Sequence, residues 1–251
     1  MKKIIEGFGR YIIFIYETFI SLFTPPFEKK ILVHQIYIIG AQSLTVCLLT
    51  SLAVGMVLAL QTGTASISVL NEPAYVGTVV TFSLVKELGP MLTAVVLVGR
   101  VAAAITAELG TMRVTEQIDA MYTLGTDPIK YLVIPRICAF VFSLPILTIF
   151  SIVLGVLGGG IISLTRFDIP FTIYYRDALD YLYLGDFFHG LIKSIIFAIL
   201  ISTVACYKGL YTEGGAEGVG KATTSCVVTS IVFLLISDYF LSSFLIAIGI
   251  G

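Results

Sequence analysis

The chain has 251 residues, of which 57% are hydrophobic and 12% are charged, and its formal net charge at pH 7 is −1. With a mean hydropathy of +1.01, a soluble domain of this length is excluded because its core could not bury so much apolar surface. The balanced charge and the lack of a basic patch give no indication of nucleic-acid binding. We therefore expect an all-α integral membrane protein.

The first 24 residues predict an amphipathic helix that lies on the membrane surface. We do not expect a signal peptide, because Glu6, Arg10 and Glu17 interrupt the apolar residues and no small-residue cleavage site follows. Pro25-Pro26 is predicted to end the helix. The apolar face is predicted to contain Phe8, Tyr11, Ile12, Ile15, Phe19 and Leu22, and the polar face Lys3, Glu6, Arg10, Glu17 and Ser21.

Five apolar segments are long enough to cross a bilayer as helices. They lie at about residues 36–61, 75–107, 131–160, 187–207 and 224–248, with a short loop at Asn71-Glu72-Pro73 after the first. We expect one membrane domain over residues 1–251, made of an interfacial helix and elbow (1–30) and a five-span bundle (31–251). Gly155 and Gly159 in the third span permit close helix approach. Basic residues predict a cytoplasmic N-terminus and an external C-terminus.

Residues 99–136 form a polar segment between the second and third spans. Thr111 is predicted to cap a short helix, and Gly125 and Asp127-Pro128 to end it. Such a helix is either a docking surface for a partner or a helix lying flat on the bilayer, and periodicity alone leaves both open. One predicted face carries Val114, Ile118, Met121 and Tyr122, and the opposite face carries Arg113, Glu116, Gln117 and Ala120.

Lys86-Glu87 is an oppositely charged pair inside the second apolar segment. Ionisable residues inside a span usually face a cavity or a partner, and neighbours on a helix point about 100° apart, so they do not simply neutralise each other. We expect the pair to face a cavity, with Gly89-Pro90 bending the helix beside it. The alternative is that the span begins later and the pair lies at the outer surface.

Other candidate sites are weaker. The glycine-rich loop over residues 209–221 nearly matches a P-loop, but Ala222 lacks the hydroxyl that binds magnesium and a membrane helix precedes it, so we expect a turn. Residues 165–186 form an outer polar segment in which Asp177 and Asp180 are typical of an amphipathic helix. His34 and His189 are expected to be hydrogen-bonded interface residues. No catalytic, cofactor or metal site is predicted, and the four cysteines, Cys47, Cys138, Cys206 and Cys226, are expected to be buried.

The order of several motifs resembles the MlaE/YrbE permease family over nearly the whole chain. The motifs are Lys86 to Pro90, Gly99-Arg100, Ala107 to Ala120, Asp127-Pro128, Pro135-Arg136 and Gly218 to Thr224. The resemblance implies a non-enzymatic membrane subunit of an ABC transporter that moves phospholipids or related lipids between membranes. Between a bacterial inner membrane and an organelle membrane, we expect the bacterial one, because the sequence shows no transit-peptide-like leader. It further implies a second copy of the chain, a separate MlaF-like ATPase subunit on the cytoplasmic face, and an MlaD-like MCE-domain protein outside.

The resemblance also assigns roles to residues. Lys86-Glu87 stands where the family often has Arg-Glu lining a lipid cavity, and the cytoplasmic coupling helix that docks on the ATPase contains Arg113, Glu116, Gln117 and Asp119. Lys86 would attract the lipid phosphate, while Glu87 would hold Lys86 in place or meet an amine. Two other hypotheses stay open: an ion-driven secondary transporter with Lys86-Glu87 as its relay, and a membrane lipid enzyme using Asp177, Asp180 or His189.

Overall fold

The computed structural model describes residues 2–22, 29–70 and 75–250, without the side chains of residues 2–6, 8 and 70. Within these ranges every regular element is helical. Four π-helical turns, Tyr37–Ala41, Leu84–Leu88, Val98–Ala102 and Ile129–Val133, join successive helices. The helices are α1 (Lys2–Leu22), α2 (Lys29–Ile36), α3 (Gln42–Leu70), α4 (Val76–Ser83), α5 (Gly89–Leu97), α6 (Ala103–Val114), α7 (Gln117–Thr123), α8 (Ile134–Phe167), α9 (Phe171–Asp180), α10 (Leu184–Leu210) and α11 (Gly215–Ile248).

The described helices form five candidate membrane spans, which confirms the predicted number. They run over Lys29–Val69, Val76–Val114, Ile129–Phe167, Leu184–Leu210 and Gly215–Ile248, so each is longer than predicted. The polar segment 99–136 is mostly a continuation of the second and third spans. Helix can continue there because the buried Arg136 has a partner: its Nη2 lies 2.9 Å from Glu108 Oε1.

The predicted glycine-rich loop is wrong for most of its length, because α11 begins at Gly215. Glu217 Oε1 and Lys221 Nζ, one helical turn apart, form an ion pair of 2.6 Å that suits this helical start. The residues that resemble a P-loop therefore lie on a helix, where their backbone N–H groups are not arranged as a phosphate cradle.

The chain divides into two compact units. Unit 1 comprises Met1–Gln42, Leu97–Ser143 and Ala198–Leu234; unit 2 comprises Ser43–Val96, Leu144–Phe197 and Leu235–Gly251.

In unit 1, α1 packs along α10. The hydroxyls of Tyr11 and Thr203 lie 3.0 Å apart, Tyr207 donates a hydrogen bond of 3.1 Å to the carbonyl oxygen of Gly7, and Phe14 is buried against the Tyr207 ring. The buried face therefore centres on Phe14, which was not in the predicted apolar face, whereas Ile12 and Phe19 are exposed. That α1 lies on a membrane surface stays a prediction. The expectations for Lys3, Glu6, Phe8 and Pro25-Pro26 lie outside the described side chains or residues.

In unit 2, small residues allow helices to touch. A Cβ on Gly55 of α3 would overlap the carbonyl of Gly155 of α8, and a Cβ on Gly159 would overlap the Tyr174 hydroxyl. That hydroxyl donates a hydrogen bond of 3.1 Å to the carbonyl oxygen of Val156. The close approach predicted at Gly155 and Gly159 is confirmed. The predicted loop at Asn71-Glu72-Pro73 lies outside the described residues.

Candidate functional site

Lys86 and Glu87 lie in the π-helical turn Leu84–Leu88, well inside the second span. Lys86 is buried, and its Nζ lies 3.3 Å from Asp186 Oδ1 and 4.5 Å from the centre of the Phe82 ring. The burial of Lys86 argues against the alternative that the pair lies at the outer surface. Gly89-Pro90 does not break the helix; the irregularity is the π-helical turn just before it, a feature often found at functional sites.

Glu87 points to different partners. Its Oε2 lies 2.5 Å from Lys193 Nζ, and its Oε1 accepts a hydrogen bond of 2.9 Å from Ser242 Oγ. Lys193 Nζ also lies 2.8 Å from Asp238 Oδ1. We call Lys86, Glu87, Asp186, Lys193, Asp238 and Ser242 the charged cluster.

The expectation that Glu87 holds Lys86 in place is wrong. Lys86 pairs with Asp186, and Glu87 pairs with Lys193. Adjacent residues on a helix project in different directions, so each charge meets a different part of α10. Helix geometry predicts that the two side chains diverge, but their partners lie in other spans and are not evident from the local sequence.

Features of the α10 sequence position Asp186 and Lys193 beside the π-helical turn. A Cβ on Gly190 would overlap the carbonyl oxygen of Val85, so glycine lets α10 approach the π-helical turn. Asp186 and Lys193 are seven residues apart and therefore share one helix face. Asp186 Oδ2 also accepts a hydrogen bond of 3.0 Å from the backbone N–H of Tyr183, which caps the first turn of α10.

The charged cluster contains two cations and three carboxylates within apolar spans. An unpaired charge in such surroundings is costly, so each group is stabilised by a partner of opposite sign. Glu87 is the most open member, with 41% of its side chain exposed, while the Lys193 side chain is fully buried. Such a site can bind a polar group by exchanging partners: an anion with Lys86, and a cation with a carboxylate.

Three members of the charged cluster were missed as site residues. Asp186 falls in the predicted outer polar segment, and Lys193 and Asp238 lie in the predicted fourth and fifth spans without a predicted role. Lys193 and Asp238 are single charges inside long apolar spans, and that signal alone could have identified them as candidates.

The helix predicted between the second and third spans is present but shorter. α6 continues to Val114, where Thr111 Oγ1 donates back to the carbonyl oxygen of Ala107, so Thr111 is not a cap. α7 begins after Glu116, whose φ of +59° breaks the helical path, and Gly125 with φ +73° follows its end, as predicted. The positive φ at Glu116 is unusual for a residue with a side chain.

The predicted coupling residues lie around this break. Arg113 of α6 and Asp119 of α7 form an exposed ion pair that joins the two helices. Glu116 and Gln117 are exposed, and Ile118 is buried. Tyr122, predicted to share the Ile118 face, is more than half exposed. The pKa of its phenol is raised, first because the rest of the side chain is buried and second because the negative charge of Asp127 is nearby.

The residues considered for a lipid enzyme have structural partners. His189 is buried and its Nδ1 lies 2.9 Å from the carbonyl oxygen of Ile250, the hydrogen-bonded role expected of it. Asp180 forms an exposed ion pair of 3.5 Å with Arg176 on α9, which is the predicted amphipathic helix. In the described part of the chain, His, Cys, Asp and Glu side chains form no group of three that could hold a metal ion.

Comparison with known proteins gives a consistent result. The sequence profile of the family described as Permease MlaE matches residues 32–244. A probable ABC transporter permease of Rickettsia typhi is 42% identical over 97% of this chain and 93% of that protein. One from Synechocystis is 42% identical over 90% of this chain and 86% of its own length. One from Pyropia yezoensis is 38% identical over 98% of this chain and 93% of its own length.

The match extends from α2 into α11, so it covers the second, third and fourth spans, most of the first and fifth spans, the charged cluster and α7. The chain is a member of the MlaE permease family, the membrane-spanning subunits of ABC transporters.

Proposed function

We propose that this permease moves phospholipids or related lipids between membranes, driven by ATP hydrolysis in a separate ABC ATPase subunit. The observation that carries the proposal is the charged cluster, a group of paired charges placed inside apolar spans. A lipid requires both environments, a polar place for its headgroup and apolar walls for its acyl chains.

The ion pairs of the charged cluster suit a headgroup that carries both a negative and a positive charge. A lipid phosphate would take Lys86 from Asp186, and a headgroup amine would then pair with the released carboxylate. Lys86 has a single ammonium rather than the planar fork of an arginine, so it attracts phosphate as a point charge. Glu87 is half-exposed and is the carboxylate best placed for an amine.

A second copy of the chain would complete the cavity. Only 11% of the most apolar stretch of the fifth span is buried inside the chain, whereas 61% of the most apolar stretch of the fourth span is buried. Asp238 and Ser242 of the charged cluster belong to this weakly buried span. If the second copy packed beside it, the open side of Glu87 would become the wall of a cavity between the two copies.

We propose that α7, with Arg113, Glu116, Gln117 and Asp119, is the coupling helix that docks on the ATPase. The exposed Glu116 and Gln117 side chains are available to a partner, and the Arg113–Asp119 pair fixes α7 to α6, which continues the second span. Movement of the ATPase would then shift the span that carries Lys86 and Glu87. The N-terminus and α7, where the ATPase would dock, would lie on the cytoplasmic side of a bacterial inner membrane. The C-terminus and an MCE-domain protein would lie on the periplasmic side.

The test is the composition of the native complex. Purification through a tag on this chain, followed by native mass spectrometry, should give two copies, an ATPase subunit and bound phospholipid. Lys86→Gln should reduce the bound phospholipid, whereas Arg176→Gln, on the exposed face of α9, should not. A complex that contains no ATPase, or a Lys86→Gln variant that retains all its lipid, would contradict the proposal.

One observation favours a second candidate, an ion-driven secondary transporter. Lys193 lies between two carboxylates, Glu87 and Asp238, an arrangement that resembles a proton relay inside a membrane. This function requires transport by the chain alone, driven by a pH or ion gradient. Reconstituted chain without an ATPase, tested with and without a pH gradient, separates the two candidates.

A further inference from the structure

Two cavities in unit 1 share part of their walls. The first, of about 400 Å³, is lined by residues that include Ile31, Thr126, Asp127 and Lys130. The second, of about 290 Å³, is lined by residues of α1 and α8 that include Ile15, Phe19, Ile137 and Val141. Ile134 and Cys138 line both cavities, and we refer to the two adjacent cavities together as the groove.

The two ends of this groove differ in chemistry. At the first cavity, Asp127 Oδ1 accepts a hydrogen bond of 2.9 Å from the backbone N–H of Ile129, so one oxygen of this carboxylate is engaged by the backbone. Lys130 forms no ion pair with any residue that the structure describes, and the exposed Lys29 and Lys30 directly precede Ile31 in sequence. The second cavity is apolar along its length, and Phe19 and Phe142 in its wall are more than half exposed.

We propose that the groove is a fixed binding site for one membrane lipid with an anionic headgroup. The phosphate would lie beside the Lys130 ammonium, which is the cationic group that lines the polar end. One acyl chain would lie along the apolar end, covering side chains of α1 and α8. The proposal requires only that the chain resides in a membrane, and the groove shares no residue with the charged cluster.

Thr18 gives independent support for a ligand with an acceptor group. It lines the apolar cavity, is 7% exposed, and its hydroxyl has no hydrogen-bond partner among the described residues. A buried hydroxyl without a partner is destabilising. The ester carbonyl between a lipid's headgroup and its acyl chain is an acceptor of the kind that this hydroxyl lacks.

A bound lipid would hold α1 against α8. Both helices contribute walls to the groove, Ile15 and Phe19 from α1 and Ile137 and Val141 from α8. The site would therefore act as a structural lipid site rather than as part of a transport path.

Cys138 provides a direct readout of occupancy. It lines both cavities and is partly exposed, whereas Cys47, Cys206 and Cys226 are buried. The full-length chain, purified in detergent, is treated with N-ethylmaleimide in micelles containing phosphatidylglycerol, phosphatidylcholine or inorganic phosphate alone. Mass spectrometry follows the rate of Cys138 modification, and Cys138→Ser confirms which thiol reacts.

We expect phosphatidylglycerol to slow the modification saturably, phosphatidylcholine to require about fivefold more lipid for the same protection, and inorganic phosphate to have no effect. Lys130→Gln should remove the difference between the lipids. Lys208→Gln is the matched control, because it removes a lysine that does not line the groove. This variant should keep the difference between the two lipids. Lys86→Gln should leave the protection of Cys138 unchanged, which separates this site from the charged cluster.

Val141→Trp is the second variant, designed to fill the apolar end. It should slow modification without lipid and abolish further protection by phosphatidylglycerol. The proposal is overturned if phosphatidylglycerol gives no protection, if both lipids protect the wild-type chain equally, or if Lys130→Gln and Lys208→Gln behave alike. Protection by inorganic phosphate alone would also overturn it, since the site would then bind a free anion rather than a lipid.

Discussion

Lys86 Nζ lies 3.3 Å from Asp186 Oδ1, although Glu87, the next residue in the chain, also carries a negative charge. Glu87 instead lies against Lys193, which is fully buried and also contacts Asp238. Three spans are thereby joined by ion pairs within apolar surroundings: the second by Lys86 and Glu87, the fourth by Asp186 and Lys193, and the fifth by Asp238.

The Lys86–Asp186 pair can be tested by Asp186→Asn. Asparagine keeps a side-chain oxygen for the Tyr183 N–H cap, so the capping contribution is retained. Lys86 loses its counter-charge, and we expect a lower melting temperature in lipid-free detergent. Added phosphatidylglycerol should restore it, because the phosphate replaces the carboxylate beside Lys86.

Asp180→Asn is the matched control, because Asp180 belongs to an exposed pair with Arg176 that contributes at most about 1 kcal/mol. Its melting temperature should stay near that of the unchanged chain. Equal melting temperatures for both variants, with or without lipid, would show that Lys86 does not depend on Asp186.

Lys193 is predicted to be the most sensitive member of the charged cluster. Lys193→Met leaves Glu87 and Asp238 facing each other without a cation, and breaking a buried ion pair in this way costs about 3–5 kcal/mol. The triple variant Lys193→Met, Glu87→Gln and Asp238→Asn removes the charges together and should recover much of the loss. The measurement is the fraction of each variant that remains monodisperse on size-exclusion chromatography after stepwise heating. A triple variant no more stable than Lys193→Met would refute this account of Lys193.

The contact between α3 and α8 is tested by Gly55→Ala. The added methyl group would overlap the carbonyl of Gly155, and separating the two helices should cost about 1–3 kcal/mol. Gly220→Ala in α11 is the control, because no atom outside its own helix lies within 4 Å of a Cβ built there. That variant should be neutral or more stable by about 0.5–1 kcal/mol, since alanine favours a helix. Equal thermal stability of the two variants would contradict a glycine-dependent contact.

The sequence predicted the features that depend on composition and spacing. Five apolar segments correspond to the five spans, and Gly155 and Gly159 lie at a close helix contact because small residues can serve there. Most span ends lie further out than predicted, in stretches that contain charged residues. Arg136 remains in a helix because Glu108 pairs with it, and that contact between residues far apart in sequence is invisible to local pattern.

The candidate site was only partly predictable for the same reason. Lys86 and Glu87 were identifiable as charges within a span, but their partners come from other spans, and pairing between spans depends on how the helices pack. Thr111 was predicted as a helix cap because threonine favours that position. The helix begins instead after Glu116, whose positive φ is a conformation that residue preference disfavours.

The most direct test of the account is ATP-driven lipid transfer by the reconstituted complex carrying Glu116→Gly and Gln117→Ala. Glycine adopts the positive φ of Glu116 without strain, so the backbone at the start of α7 should be kept while the exposed polar side chains of Glu116 and Gln117 are removed. The account predicts an unchanged or higher melting temperature for the permease, together with loss of copurifying ATPase or of transfer of a fluorescent phospholipid between membranes. Full assembly and wild-type transfer rates in the same variant would contradict it.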